Sequence, residues 1–194
     1  MEYVIKPKFQ QFENWAWWDN IFTTEELDYL QQRCITATKN GIVGNRNEDA
    51  LREDIRRCKI DWLHYSSDVE WVYAKVSHAI NSLNDSYFNF EITGFAEPMQ
   101  LTNYLSGNSG AYTWHRDCGK TGARKLSFTM QLTEPSDYEG GELQVLDDRS
   151  TPTTLAKKRG LIVVFPSFTL HQVTPVTKGS RQSLVAWITG PQFR

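Results

Sequence analysis

From residue 87 onward the chain breaks into eight short apolar-rich segments with turn residues between them. The segments are FNFEITGF, MQLTNYL, AYTWHRD, KLSFTMQL, ELQVL, GLIVVF, TLHQV and SLVAWIT, and the punctuation is SGNSG, TEPSDYEGG, KKRG and TKGS. Gly, Pro, Asn and Asp interrupt strands because they take the backbone conformations that turns require. Short strands at this spacing predict a sandwich or small barrel. KLSFTMQL is informative by itself: Leu126, Phe128, Met130 and Leu132 alternate with Lys125, Ser127, Thr129 and Gln131. A strand sends successive side chains to opposite faces, so one face is wholly apolar and the other polar with one charge. That polar face suits solvent or a pocket.

The first half reads differently. TTEELDYLQQRCITA opens with Thr23 and has Glu26 three residues on, the spacing of a capping box, and places Leu27, Leu30 and Cys34 on one helical face. SDVEWVYAKVSHAINSL repeats the signal with Ser67 and Glu70, and with Val72, Val76, Ile80 and Leu83 as its stripe. NGIVGNRNEDA reads as loop and DIRRCKIDWL alternates enough to be a strand. The expectation is one domain, mainly β with flanking helices, divided into a helical support region (1–86) and a β core (87–194). Arg46, Arg52, Arg56 and Arg57 form a charge cluster in or near the loop, and such a cluster reads as a solvated surface or as part of a substrate loop.

A net charge of -2 gives no sign of nucleic acid or an anionic membrane as partner. The 3 Cys (Cys34, Cys58, Cys118) are scattered, with no C-x-x-C pair, which argues against a zinc knuckle or a disulfide framework. No stretch has the length of a membrane span or a signal peptide, so a cytoplasmic location is expected.

His115 and Asp117, two apart on a strand, point the same way and could converge on one ion. With a second His they would make a facial triad of two imidazoles and one carboxylate, which leaves adjacent positions open and suits non-haem Fe(II). Of the other His, His64 reads as a strand-end residue and His78 as a helix-packing one. His171 follows the apolar run GLIVVFPS, where a buried ring needs a partner. Ten residues on, Arg181 opens RQSLVAWIT; with Arg181, Ser183, Val185 and Trp187 facing inward, its fork would enter the same cavity and suit a carboxylate. Ligand histidines must be neutral, so metal occupancy is expected to fall below about pH 6.

HRD at 115–117, the distal His171 and Arg181 together resemble the Fe(II)/2-oxoglutarate-dependent oxygenases, and within them the prolyl 4-hydroxylase-like, PKHD-type branch. The supporting stretches are YLSGNSGAYTWHRD, KLSFTMQLTEPSDYEGGEL and GLIVVFPSFTLHQVTPVTKGSRQSLVAWITGP, and WWDNIFTTEELDYL resembles the family's entry helix. The resemblance implies a double-stranded β-helix (a jelly-roll, cupin-like) with His115, Asp117 and His171 as iron ligands. It implies Arg181 on the distal carboxylate of 2-oxoglutarate and Tyr104 donating its hydroxyl to the cosubstrate. Gln131 falls where relatives carry a polar cosubstrate contact, and Lys125 on the same face is its rival. Trp187 is a candidate pocket wall, and Cys118 is either a silent small residue or an oxidation-prone thiol beside the metal.

The activity implied is hydroxylation of a C–H bond, foremost on a prolyl residue of a peptide or protein, using Fe(2+), 2-oxoglutarate and O2, with ascorbate as an accessory reductant and succinate and CO2 as products. The alternatives are a free amino acid or metabolite as substrate, nucleobase demethylation, and a jelly-roll binding module without catalysis. An additional Arg on the final strand, usual in the nucleobase enzymes, is absent from RQSLVAWITG.

Overall fold

The computed structural model describes residues 13–41, 52–118, 123–146 and 151–192. In chain order its elements are β1 (Ala16–Trp18), α1 (Thr24–Ile35), β2 (Lys39–Asn40), β3 (Arg56–Arg57), β4 (Lys59–Leu63), α2 (Glu70–Leu83), β5 (Gly94–Phe95), β6 (Met99–Leu105), β7 (Ala111–His115), β8 (Arg124–Gln131), β9 (Tyr138–Gly140), β10 (Leu143–Leu146), β11 (Pro152–Thr154), β12 (Ile162–Pro166), β13 (Leu170–Val173) and β14 (Val176–Thr189). A larger sheet runs β1-β12-β8-β14-β6-β4-β2, with β5 and β9 also pairing β14, and a smaller one runs β11-β10-β13-β7-β3. The pairings within both are antiparallel. This is the jelly-roll core.

The alternation of β8 decides how the layers stack. Leu126, Phe128 and Met130 are fully buried in the main core, together with Leu101 of β6 and Leu184, Ala186 and Ile188 of β14. Leu27, Leu30 and Cys34 of α1 and Val72, Val76 and Ile80 of α2 close over them. The helices therefore cover the outer face of the larger sheet, where the apolar side chains lie. The inner face keeps the polar set and looks toward the smaller sheet.

α1 starts as its sequence predicts: Glu26 N–H donates to Thr23 Oγ1 at 3.3 Å and Thr23 N–H donates to Glu26 Oε2 at 2.8 Å, a complete capping box. The second box does not form. A 3-10 turn, Ser67–Val69, precedes α2, and the helix cap is Val69, with no side-chain hydrogen bond. Val69 is 2% exposed, and the extra turn carries it into the core. Three other expectations are corrected. FNFEITGF supplies only Gly94–Phe95 as strand, because the chain leaves α2 through a five-residue π turn ending at Asn89, which has φ 55°. TKGS is no terminus: it lies inside β14, bent at Gly179 (φ 68°), where a Cβ would sit 2.1 Å from the Asp137 carbonyl oxygen. DIRRCKIDWL is two strands, since the chain passes at Cys58 from the smaller sheet (β3) to the larger one (β4). Strands from the first 86 residues thus join both sheets. Among the described residues no helix is long and apolar enough to cross a membrane.

Candidate metal centre

β7 and β13 pair so that His115 stands opposite His171, with ring centroids 4.1 Å apart. Asp117 lies past the end of β7. Its backbone N–H donates to the Ser167 carbonyl at 2.9 Å, and the Cys118 N–H donates to the same oxygen at 3.1 Å. This bend, rather than continued strand alternation, aims the carboxylate back between the rings. His115 Nε2 is 3.7 Å from Asp117 Oδ1, and His171 Nε2 is 3.5 Å from Asp117 Oδ2. One ligand atom from each of the three residues lies within 4.8 Å of the others.

The other ring nitrogens are already engaged. His115 Nδ1 sits 2.7 Å from the Thr113 carbonyl and His171 Nδ1 2.9 Å from that of Thr169. A carbonyl accepts, so each Nδ1 carries the proton and each Nε2 offers a lone pair. Two free imidazole lone pairs and one carboxylate, close together and pre-aimed, fit a divalent ion of the iron class.

The surroundings hold these groups in place. Ser127 Oγ donates to Asp117 Oδ2 at 2.6 Å and lies 3.0 Å from Ser167 Oγ. Burial alone would raise the Asp117 carboxyl, but His171, His115, Ser127 and Trp187 outweigh it and hold the group below its ordinary value. Tyr112 stacks flat on His115, and Phe165 lies 4.7 Å from the His171 ring. Burial, with the His171 ring beside it, pushes the His115 imidazole down to about 3.

A cavity runs inward from this centre between the two sheets. Tyr104, Thr102, Ser127, Thr129, Arg181 and Trp187 are among its walls, as the β alternation requires. At its inner end Arg181, 4% exposed, lies opposite Tyr104 in strand register. Its Nη1 donates to Ser183 Oγ at 3.1 Å, and its Cζ is 5.6 Å from the Tyr104 ring centroid. Among the described residues no carboxylate pairs with it. Burial pushes the Tyr104 phenol up, with Cys58 and Tyr112 adding to it and Arg56 and Arg181 opposing, so the hydroxyl remains a donor. Gln131 is buried but faces a neighbouring small cavity that it shares with Arg181 and Tyr138, and its Nε2 donates to the Thr133 carbonyl at 3.3 Å. Lys125 is buried on the same strand; Ser127 and Thr129 form the wall of the larger cavity.

His64 and His78 stay apart from the centre: His64 is exposed after β4, and the His78 ring packs 5.4 Å from Trp18. Cys118 is exposed. Of the arginine cluster, Arg46 lies outside the described residues, Arg52 pairs with Asp54 at 2.8 Å in solvent, and Arg57 binds backbone carbonyls including that of Ser109. Arg56 departs from the solvated reading: it is 7% exposed and lines the cavity. The signal was present in the alternation of Arg56, Cys58 and Ile60, all buried, across the crossing point between the sheets. Tyr138, buried beside Arg181 in the neighbouring small cavity, was also missed.

The sequence model of the 2OG-Fe(II) oxygenase superfamily matches residues 99–189, which hold every residue of the centre. A PKHD-type hydroxylase of Synechococcus sp. (strain CC9311) is 37% identical over 102 residues, covering 50% of this chain and 46% of that protein. A PKHD-type hydroxylase of Maricaulis maris (strain MCS10) is 38% identical over 99 residues, covering 48% of this chain and 45% of that protein. The matched stretch thus spans about half the length of these curated relatives. Among solved structures, a Pseudomonas putida prolyl-4-hydroxylase superposes with TM-score 0.70 at 19% identity, covering 92% of this chain and 93% of that one. A Trichoplax adhaerens prolyl hydroxylase in complex with a hypoxia inducible factor peptide fragment superposes with TM-score 0.76 at 17% identity, covering 91% and 84%.

Proposed function

We propose that this chain, whose residues 99–189 match the sequence model of the 2OG-Fe(II) oxygenase superfamily, is an Fe(II)- and 2-oxoglutarate-dependent dioxygenase that hydroxylates a prolyl residue of a peptide or protein. The observation that carries the chemistry is the convergence of His115, Asp117 and His171, with both Nδ1 atoms tied to backbone carbonyls. The prolyl substrate is supported by the PKHD-type relatives and the prolyl hydroxylase folds.

When bound, Fe(II) with 2-oxoglutarate and O2 supplies the oxidising chemistry, which yields succinate, CO2 and a hydroxylated carbon. The chain's own residues supply position. His115, Asp117 and His171 hold the metal; Ser127 fixes the carboxylate that would otherwise turn. Arg181, buried and with no carboxylate partner among the described residues, grips the distal carboxylate of the cosubstrate. Tyr104 donates its hydroxyl beside it, and Gln131 and Tyr138 line the space behind. Val185 and Trp187 wall the cavity toward the metal and keep water from it. No side chain is needed as general acid or base.

The test is anaerobic reconstitution with Fe(II), followed by 2-oxoglutarate, ascorbate and air, with succinate as the readout. Wild type forms succinate, and a prolyl peptide accelerates it; His115→Ala forms none. Equal succinate from both proteins refutes the reading.

A further inference from the structure

Arg56 is buried in the cavity wall, and among the described residues no acid balances it. Its Nε donates to Cys58 Sγ at 3.0 Å and its Nη2 donates to Gln100 Oε1 at 2.6 Å, both uncharged acceptors. Its Cζ stands 4.9 Å from the centroid of the Tyr112 ring, whose plane stacks on the metal-site His115. Among the described residues no carboxylate pairs with it. Gly41 makes the room: a Cβ there would lie 2.6 Å from Cys58 Sγ and 2.8 Å from Arg56 Nε. Burying a guanidinium against neutral partners is costly unless an anion arrives to share its remaining N–H groups.

The charges of the cavity sharpen this. Among the described residues that line it, Arg56, Arg181 and Asp117 are the ionised side chains, two cations and one anion. Ferrous iron and the 2-oxoglutarate dianion cancel one another when both are bound. A loaded site therefore keeps one uncompensated positive charge, and Arg181 is already committed to the cosubstrate. The remaining cation lies beside the metal layer, where the reacting carbon must come, rather than at the inner end.

Resting on the dioxygenase reading, we infer that Arg56 is a substrate-specificity residue, and that the substrate bears a carboxylate next to the carbon that is hydroxylated. For a prolyl substrate this is a terminal α-carboxylate or that of a neighbouring acidic residue.

Equilibrium binding distinguishes the outcomes without turnover. The full chain is loaded with Mn(II) and saturating 2-oxoglutarate and titrated calorimetrically with short prolyl peptides and free L-amino acids and, separately, with their α-amides. The acids of the preferred series bind roughly tenfold or more tightly than their amides, the change expected of a charge-assisted hydrogen bond. The amides of Asp and Glu, which keep a side-chain carboxylate, show which carboxylate is read. Arg56→Gln brings the acid-to-amide ratio to about one, Arg56→Lys retains part of it, and Gly41→Ala, which displaces the guanidinium without removing its charge, lowers it. Acids and amides binding alike to wild type, or neither series binding while Mn(II) and 2-oxoglutarate do, overturns the assignment of Arg56 and leaves the dioxygenase intact. Failure of wild type to bind 2-oxoglutarate in the presence of Mn(II) overturns both. A loss of 2-oxoglutarate binding in Arg56→Gln equal to that in Arg181→Gln would also overturn it, by making Arg56 a cosubstrate anchor.

Discussion

The Tyr112 ring lies flat against the His115 imidazole, with centroids 3.4 Å apart and planes 13° from parallel. The stack, together with the Thr113 carbonyl on Nδ1, leaves the imidazole little freedom to rotate. An aromatic pair contributes about 0.5–1.5 kcal/mol beyond its area. Tyr112→Ala should therefore weaken Mn(II) binding about two- to twelvefold, whereas Tyr112→Phe keeps the ring and stays near wild type. Calorimetric titration of the metal reads the difference, and equal losses in the two variants would remove the stack from the account.

Ser127 holds the Asp117 carboxylate by a 2.6 Å hydrogen bond. Groups that orient metal ligands typically change affinity by about 10–100-fold when removed. Ser127→Ala is expected to lose metal affinity in that range while its far-ultraviolet circular dichroism stays unchanged. Wild-type affinity in this variant would show that the bend at Ser167 suffices to aim the acid.

Arg181→Gln should leave metal binding intact and raise the dissociation constant of 2-oxoglutarate. A hydrogen bond to a charged group contributes about 1.5–3 kcal/mol, which corresponds to about 10–150-fold. Cosubstrate titration against the Mn(II) protein measures it, and an unchanged constant would place the dicarboxylate elsewhere.

Acid should destabilise the metal-free protein well before its carboxylates titrate. The fold keeps His115 neutral down to about 3, against an ordinary value of 6.5, chiefly through burial and then through the His171 ring. Between those values the unfolded chain binds a proton that the folded chain refuses, so stability rises with pH across the window. The contribution is whole above pH 6.5 and is lost progressively as pH falls toward 3. Asp117, held below its ordinary 3.8, adds its own loss only in the lower part of that window, as pH falls through that ordinary value and below. Urea midpoints should thus decline from about pH 7 to 4.5, and His115→Gln should flatten the decline. A flat wild-type profile would contradict the burial argument. Proton competition at His115 also sets in lower than the pH of about 6 expected of a free imidazole.

The two helix starts separate under mutation. Thr23→Ala removes a formed capping box and should cost about 1 kcal/mol. Ser67→Ala removes a hydroxyl that caps nothing and should stay within about 0.5 kcal/mol. Denaturant melts compare them directly.

Those helix starts also show where sequence reading stops. Thr23 and Ser67 have the same local spacing, yet tertiary packing of Val69 extends the second start by a turn. The strand pattern of β8 was legible because alternation is a local property, and with it came the polar wall of the cavity. His115, Asp117, His171 and Arg181 were singled out by strand spacing and by resemblance; the pairing of β7 with β13 that brings the rings to 4.1 Å is long-range and leaves no local mark. Gln131 shares a face with Thr129, but it is one step further along the strand and opens onto the adjacent cavity. Of the two readings the arginine cluster allowed, Arg56 departs from the solvated one, because the crossing at Cys58 turns it inward.

Arg181 and Trp187 stand on one uninterrupted strand, six positions apart and on the same side. At about 3.3 Å per residue that strand is a ruler about 20 Å long, marked in steps of two. Substitutions between the marks leave the scale intact. Insertion or deletion of a single residue there swaps inside for outside at every later position, so descendants of this chain are free to vary in residue type along the segment but are held to its length.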